Sequence, residues 1–120
     1  MTEDVRLNIL LVLVDGLRAD RCYGNDRSCK TPNIDSLIKN GVYFDQTISS
    51  ADGTFLSISS MFNSLFPFET GIRARKIVLS EGNYLDVIKS AGYHIYGIIP
   101  RFTPLNPIIE LCENENPTFA

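Results

Sequence analysis

The sequence predicts an α/β fold in which helices flank a mostly parallel β-sheet. The apolar, β-branched segments NILLVLV (residues 8–14) and YHIYGII (residues 93–99) are typical of strands that are covered on both faces. Between them lie segments with the periodicity and end signals of helices. Because strands and helices alternate along the chain, helical connections between parallel strands account best for this order.

The first strand is predicted to end at Asp15-Gly16, where a polar, turn-rich loop begins. Residues 42–49 (VYFDQTIS) contain β-branched and aromatic residues and predict a short strand or an extended segment. The sheet would thus be formed by three segments, at residues 8–14, 42–49 and 93–99.

The helices are indicated by their end residues. In TPNIDSLIKNG, Thr31 can cap the helix, Pro32 suits its first position and Gly41 supplies the stop. In SEGNYLDVIKSAG, Ser80 is the predicted cap and Gly92 the predicted stop.

Another helix is predicted to begin at Thr54, directly after Asp52-Gly53. Its apolar positions recur at steps of three and four residues, which places them on one helix face. They are Phe55, Ile58, Phe62 and Leu65. Two interpretations of Thr54 stay open here: it is the cap of this helix, or it is a nucleophile at the helix N-terminus.

The composition is that of one globular domain. Of the 120 residues, 44% are hydrophobic and 21% are charged, and no apolar run approaches the length of a membrane span. The 11 basic residues are outnumbered by 14 acidic residues, which argues against an electrostatic grip on nucleic acid. The 3 cysteines lack C-x-x-C spacing and the acidic N-terminus is unlike a signal peptide, so a cytoplasmic location is expected.

Asp15 and Thr54 are the candidate metal ligands, with Thr54 also the candidate nucleophile. Asp15 follows a predicted strand at the sheet edge where ligands gather, and Thr54 begins a helix whose N-terminus favours anions. A carboxylate and a hydroxyl could together bind a divalent cation, and the cation could activate the hydroxyl. Asp15 could equally be a turn former.

Several motifs, in this order, resemble the N-terminal portion of the sulfatase and alkaline-phosphatase superfamily. They are VDGLRAD, CYGN, TPNIDSL, the small-residue helix that ends in LFP, and SAGYH. The resemblance implies an alkaline-phosphatase-like N-terminal fragment at residues 1–100, followed by an irregular tail or truncated continuation at residues 101–120. It also implies a metal-dependent hydrolase of sulfate or phosphate esters, with Asp15 and Thr54 at the metal-binding and nucleophile positions.

The chain departs from the family pattern at both positions. Sulfatases usually carry a second aspartate where Gly16 stands, and a Cys or Ser within a C/S-x-P-x-R motif where this chain has Thr54-Phe55-Leu56-Ser57-Ile58. A threonine cannot be oxidised to formylglycine. The resemblance is therefore to the branches that act on phosphate, in which a metal-bound threonine attacks phosphorus.

The resemblance leaves the site incomplete, because the family's remaining metal ligands come from later in its sequence. The metal would be Mn²⁺, Zn²⁺, Mg²⁺ or Ca²⁺, and the isolated chain is expected to be inactive. Supporting roles are predicted for four residues near the site: Arg18 and Asp20, which could pair with each other or orient Asp15, and Asp52 and Gly53, which would shape the turn before Thr54. The only histidine, His94, is expected to be solvent-facing or hydrogen-bonded.

Three other functions remain as alternatives. A phosphoglycerol- or phosphoethanolamine-type transferase would use the same site. A truncated, non-catalytic module would bind a partner, or a second copy, through an uncovered sheet edge. A phosphatase with Asp15 as nucleophile is disfavoured, because that chemistry needs an acid where Leu17 stands.

Overall fold

The computed structural model describes residues 6–73 and 75–119. The chain divides into two compact units, residues 1–45 and 46–120. The prediction of a cytoplasmic location rested in part on the acidic N-terminal residues, which lie outside the described residues. No helix in the described ranges is long and apolar enough to cross a membrane. The helices are α1 (Ala19–Cys22), α2 (Pro32–Asn40), α3 (Thr54–Asn63), α4 (Pro67–Thr70), α5 (Tyr84–Ser90) and α6 (Asn106–Ile109).

The predicted first strand does not form. Residues 8–14 have no regular secondary structure and are exposed throughout, with Leu10 at 88% exposure. The prediction was wrong because a parallel strand takes its hydrogen bonds from strands that are distant in sequence, so an apolar run alone does not define it. Residues 42–49 also form no strand, although the ring of Tyr43 contacts that of Tyr23 at a centroid distance of 4.3 Å.

Helix α2 has the predicted bounds, with Pro32 in its first turn and Gly41 after its last residue. Thr31 occupies the N-cap position, but its side chain makes no capping hydrogen bond. Its hydroxyl lies instead 3.2 Å from the carbonyl oxygen of Cys22 and 3.3 Å from the carboxylate of Asp35. The residue therefore joins the preceding loop to the helix.

Helix α3 begins at Thr54 and ends at Asn63, because Ser64 adopts a left-handed conformation with φ of 55°. The predicted apolar face is confirmed in part, since Phe62 is buried and Leu65 lies beyond the helix end. Ser59 and Ser60 are also buried. Small side chains at these positions allow neighbouring backbone to come close to the helix.

The segment at residues 77–80 is held against α3 by hydrogen bonds to side chains. The Ser59 hydroxyl accepts from the amide of Val78 at 3.0 Å. Asn63 donates to the carbonyl of Val78 at 2.8 Å and accepts from the amide of Ser80 at 2.8 Å. Ile77, at the start of this segment, is fully buried. Since residues 77–80 have no regular secondary structure, α3 packs here against a loop.

The cap of α5 is Asn83 and not the predicted Ser80. The Asn83 side chain accepts hydrogen bonds from the amides of Leu85 and Asp86, at 2.9 and 3.3 Å. Ser80 stands three residues too early, and its backbone carbonyl accepts from the Asn83 side chain instead. Gly92 ends the turn after the helix with φ of 83°, as the glycine predicted.

The sheet of the described residues consists of β1 (Ile99–Pro100) and β2 (Thr118–Phe119), which pair in parallel. Of the predicted strand at residues 93–99, only the last residue thus lies in a strand. Upstream of β1, side chains take the place of a strand: Asn114 accepts from the amide of Gly97 and donates to its carbonyl, both at 2.9 Å. Within the predicted irregular tail, residues 103–105 form a 3₁₀ turn that leads into α6.

Candidate functional site

Asp15 lies in a turn directly after the exposed apolar segment. The next residue, Gly16, has φ of +70°, a conformation that glycine adopts at little cost. This glycine stands where the family pattern has a second aspartate. The turn leaves Asp15 exposed at the surface of the chain.

Arg18 and Asp20 pair with each other. The guanidinium of Arg18 donates to both carboxylate oxygens of Asp20, at 3.0 and 2.8 Å. This hydrogen bonding lowers the pKa of Asp20 and raises that of Arg18. Both side chains are exposed, so the pair contributes little to stability. Of the two roles considered, the structure shows the pairing, and a role in orienting Asp15 stays a prediction.

Thr54 is the first residue of α3, and the N-cap position belongs to Gly53. The cap interpretation of Thr54 is therefore wrong. Gly53 has an extended backbone, with φ of −131° and ψ of 149°, that any residue can adopt. Thr54 and Asp52 are both exposed. The hydroxyl thus lies at a helix N-terminus, where the helix dipole favours negative charge.

The turn before Thr54 is tied to the body of α3. The hydroxyl of Ser57 donates to the carbonyl of Ala51 at 3.0 Å and lies 3.0 Å from the hydroxyl of Ser49. The Ser49 hydroxyl also donates to the carbonyl of Ala51 at 2.7 Å. These bonds close the loop at residues 49–53 onto the helix one turn after Thr54 and so restrain its entry into the helix.

The donor types of Asp15 and Thr54 fit a divalent cation, since carboxylate and hydroxyl oxygens are ligands of hard metal ions. Their number does not complete a site, because Zn²⁺ takes four ligands and Ca²⁺ six to eight. In residues 6–73 and 75–119, no group of three or more His, Cys, Asp or Glu side chains is placed to hold a metal. Asp15 and Thr54 lie in different units of the chain.

Arg27, Thr31 and Asp35 form a cluster that was not predicted from the sequence. The guanidinium of Arg27 forms an ion pair with Asp35 and donates to the carbonyl of Cys22 at 3.4 Å. Thr31 contacts the same two acceptors, and the cluster fastens the loop after α1 to α2. The contact between Thr31 and Asp35 could have been predicted, because the two residues lie one turn apart at the start of a helix. Nothing in the local sequence predicts that Arg27 joins them.

Comparison with known proteins identifies the family. The family model described as Sulfatase matches residues 7–103, a range that includes Asp15 and Thr54. The chain is 35% identical over 74 residues to arylsulfatase H of Homo sapiens and 34% identical over 74 residues to arylsulfatase H of Canis lupus familiaris. Each match covers 60% of this chain and 13% of the relative's own length. No solved structure matches. Since the family model covers most of the chain, the protein belongs to the sulfatase family.

Proposed function

We propose that this chain contributes Asp15 and Thr54 to a divalent-metal site that cleaves sulfate or phosphate esters. The observation that carries the proposal is the exposed Thr54 at the first position of α3, inside the region matched by the sulfatase model. A hydroxyl at a helix N-terminus is well placed to meet an anionic ester, because the first-turn amides attract negative charge.

Thr54 would act as the nucleophile. Its Oγ attacks the sulfur or phosphorus atom of the ester, and the new bond forms as the bond to the leaving-group oxygen breaks. The electron pair of that bond leaves with the alcohol oxygen, and the proton that the Thr54 hydroxyl gives up passes through water to that oxygen. Water then attacks the sulfur or phosphorus atom on Thr54. This releases sulfate or phosphate, or a phosphate monoester when the substrate is a phosphodiester, and restores the hydroxyl.

Asp15 would hold the metal ion, and the proposal extends to Mn²⁺, Zn²⁺, Mg²⁺ or Ca²⁺. A bound cation supplies positive charge, which lowers the pKa of a coordinated hydroxyl and offsets the charge of the ester. Oxygen donors favour the harder members of this group. Within residues 6–73 and 75–119, no group of three or more His, Cys, Asp or Glu side chains supplies the remaining ligands.

The threonine itself supports a route without formylglycine. Its Cβ carries a methyl group, so oxidation cannot give the aldehyde that formylglycine chemistry needs. Direct attack by a hydroxyl extends the substrate class from sulfate esters to phosphate esters. We propose further that the chain is part of an alkaline-phosphatase-like α/β fold, which membership of the sulfatase family implies and which its helices and parallel strand pair are consistent with.

A second candidate is a binding module without catalytic activity. It is favoured by the small number of metal-ligating side chains that the described residues bring together. A transferase that hands its group to an alcohol instead of water would share the Thr54 step, so the acceptor alone distinguishes it from the hydrolase.

The test is a turnover assay on the full chain. An aryl sulfate and an aryl phosphodiester are incubated with each of the four cations, with Thr54→Ala and Thr54→Ser as a matched pair. A site that is complete in this chain predicts metal-dependent product, abolished by Thr54→Ala and retained in part by Thr54→Ser. An incomplete site predicts no product, but a melting temperature that the cation raises for the unaltered chain and raises less for Asp15→Asn. If all three proteins are inactive and no cation raises the melting temperature, the binding module is the better account.

A further inference from the structure

The loop after α1 and one side of α2 line a surface cleft of about 520 Å³, a volume within the range of small-molecule sites. The residues that line it come from two short stretches of the same unit. They are Tyr23, Gly24, Asn25, Arg27, Asp35, Ile38 and Lys39. None of them belongs to the site assigned to Asp15 and Thr54.

We call this cleft the Tyr23 cleft. Its walls are held in place by contacts within the same unit. Arg27 bridges the two walls through its ion pair with Asp35, and the amide of Cys29 donates to the carbonyl of Arg21 at 2.9 Å. The ring of Tyr23 rests against that of Tyr43 at a centroid distance of 4.3 Å. A cleft held in this way exists before any ligand arrives, so binding costs little reorganisation.

The lining carries one uncompensated positive charge. Arg27 and Asp35 neutralise each other, and Lys39 is exposed and makes no ion pair or hydrogen bond within the described part of the chain. Lys39 stands in the last turn of α2, where the helix dipole offsets only part of a full charge. An anionic group in the cleft would therefore find an available ammonium.

The remaining lining offers apolar and aromatic surface beside this charge. Tyr23 is 44% exposed, so a large part of its side chain is open to contact, and Ile38 adds aliphatic surface. Aromatic surface prefers stacked or edge-on contacts with other rings. Asn25 supplies both a hydrogen-bond donor and an acceptor. The combination suits a planar ring that bears one negative charge.

We propose that the Tyr23 cleft is a binding site for a small aromatic monoanion, held by the ammonium of Lys39 and by the ring of Tyr23. The cleft shares no lining residue with the proposed ester-cleaving site. Its ligand class follows from the charge and the surfaces of the lining.

The experiment titrates the full chain with naphthalene-2-sulfonate, whose carbon–sulfur bond no sulfatase can hydrolyse, and follows amide shifts by NMR. Saturable shifts at residues 23–27 and 35–39 are expected. Lys39→Met should weaken binding roughly two- to fivefold, the range of a single exposed ion pair, and Lys30→Met, which changes an exposed lysine outside the cleft, should leave it unchanged. The variant Asp15→Asn should also bind normally, so this site can fail or stand independently of the proposed function.

Two further measurements keep the outcome decisive if a variant loses its fold. Binding to the unaltered chain should weaken as salt rises, because exposed charges are screened. Neutral 2-naphthol should bind more weakly than the sulfonate. The proposal is overturned if the shifts do not saturate, if they lie outside the cleft, if Lys30→Met and Lys39→Met reduce affinity equally, or if naphthol binds as well as the anion.

Discussion

Two regions that are rich in apolar residues differ in their burial. One is helix α3 with the segment at residues 77–80, and the other is the N-terminal run at residues 8–14. Ile77 in the segment beside α3 is fully buried, whereas Leu10 in the run at residues 8–14 is 88% exposed. The first region has hydrogen-bonding side chains, Ser59 and Asn63, that hold its partner segment in place. The second is an extended run without such contacts in the part of the chain that the structure describes. The difference shows that burial requires a partner that can satisfy the backbone, and apolar composition alone does not supply one.

The largest effect is expected at Ile77. Because its side chain is fully buried, Ile77→Ala should lower the free energy of unfolding by about 2–5 kcal/mol, through lost transfer energy and a residual cavity. The matched change Leu10→Ala, at an exposed site, should alter it by less than about 0.5 kcal/mol. Urea unfolding of both variants measures the contrast, and equal losses would show that residues 8–14 are packed in solution.

A smaller effect is expected from Ser59→Ala. The change removes the acceptor of the Val78 amide and leaves that donor without its partner, at a cost of about 1–3 kcal/mol. Ser60→Ala is the control, because Ser60 is also buried but does not hold the segment at residues 77–80. Hydrogen exchange at the Val78 amide should accelerate in the first variant only. Similar exchange in both variants would remove Ser59 from this role.

The cap of α5 gives the next contrast. Asn83→Ala should destabilise the chain by about 0.5–2 kcal/mol, since the amides of Leu85 and Asp86 lose their acceptor. Ser80→Ala should cost much less, because the hydrogen bonds of Ser80 in this turn are made by its backbone. Thermal melts of the two variants decide between the observed cap and the predicted one. A larger loss for Ser80→Ala would favour the latter.

The smallest effect is a pH dependence at Glu113. Its carboxylate accepts a hydrogen bond from the His94 ring and another from the Ile95 amide, which lowers its pKa from the ordinary 4.5. The stability from a lowered carboxyl pKa is present above 4.5 and is lost as the pH falls through the folded-state value. Melting temperatures below this pH should therefore fall less steeply for Glu113→Gln than for the unaltered chain. Parallel curves would show that the contact adds nothing.

The helices could be predicted from the sequence because their signals are local. Pro32 and Gly41 bound α2 as expected, and the apolar steps from Phe55 to Phe62 lie within α3. The caps were harder to predict. Ser80 and Asn83 are both competent acceptors before α5, and only the geometry selects Asn83. Thr31 is also a competent acceptor, yet it makes no capping hydrogen bond to α2. His94 is hydrogen-bonded and exposed, as its place beside Tyr93 suggested.

The sheet could not be predicted in the same way, because strand pairing joins residues far apart in the chain. Gly97 is bonded by the side chain of Asn114, and Thr118 pairs with Ile99, contacts that no local pattern announces. For the candidate site, the sequence located Asp15 and Thr54 and the resemblance assigned their chemistry. It did not find the Arg27–Asp35 bridge, since the two residues are separated by a loop.

The most direct measurement of the central claim is a search for a covalent ester on Thr54. The full chain is incubated briefly with metal and an aryl sulfate or aryl phosphodiester, quenched in acid, digested and examined by peptide mass spectrometry. A nucleophilic Thr54 predicts one sulfo group on this residue, or one phospho group that still carries the second ester of the phosphodiester, absent without metal and absent in Thr54→Ala. Modification of Ser57 or another hydroxyl in its place, or product release without any modified Thr54, would contradict the account.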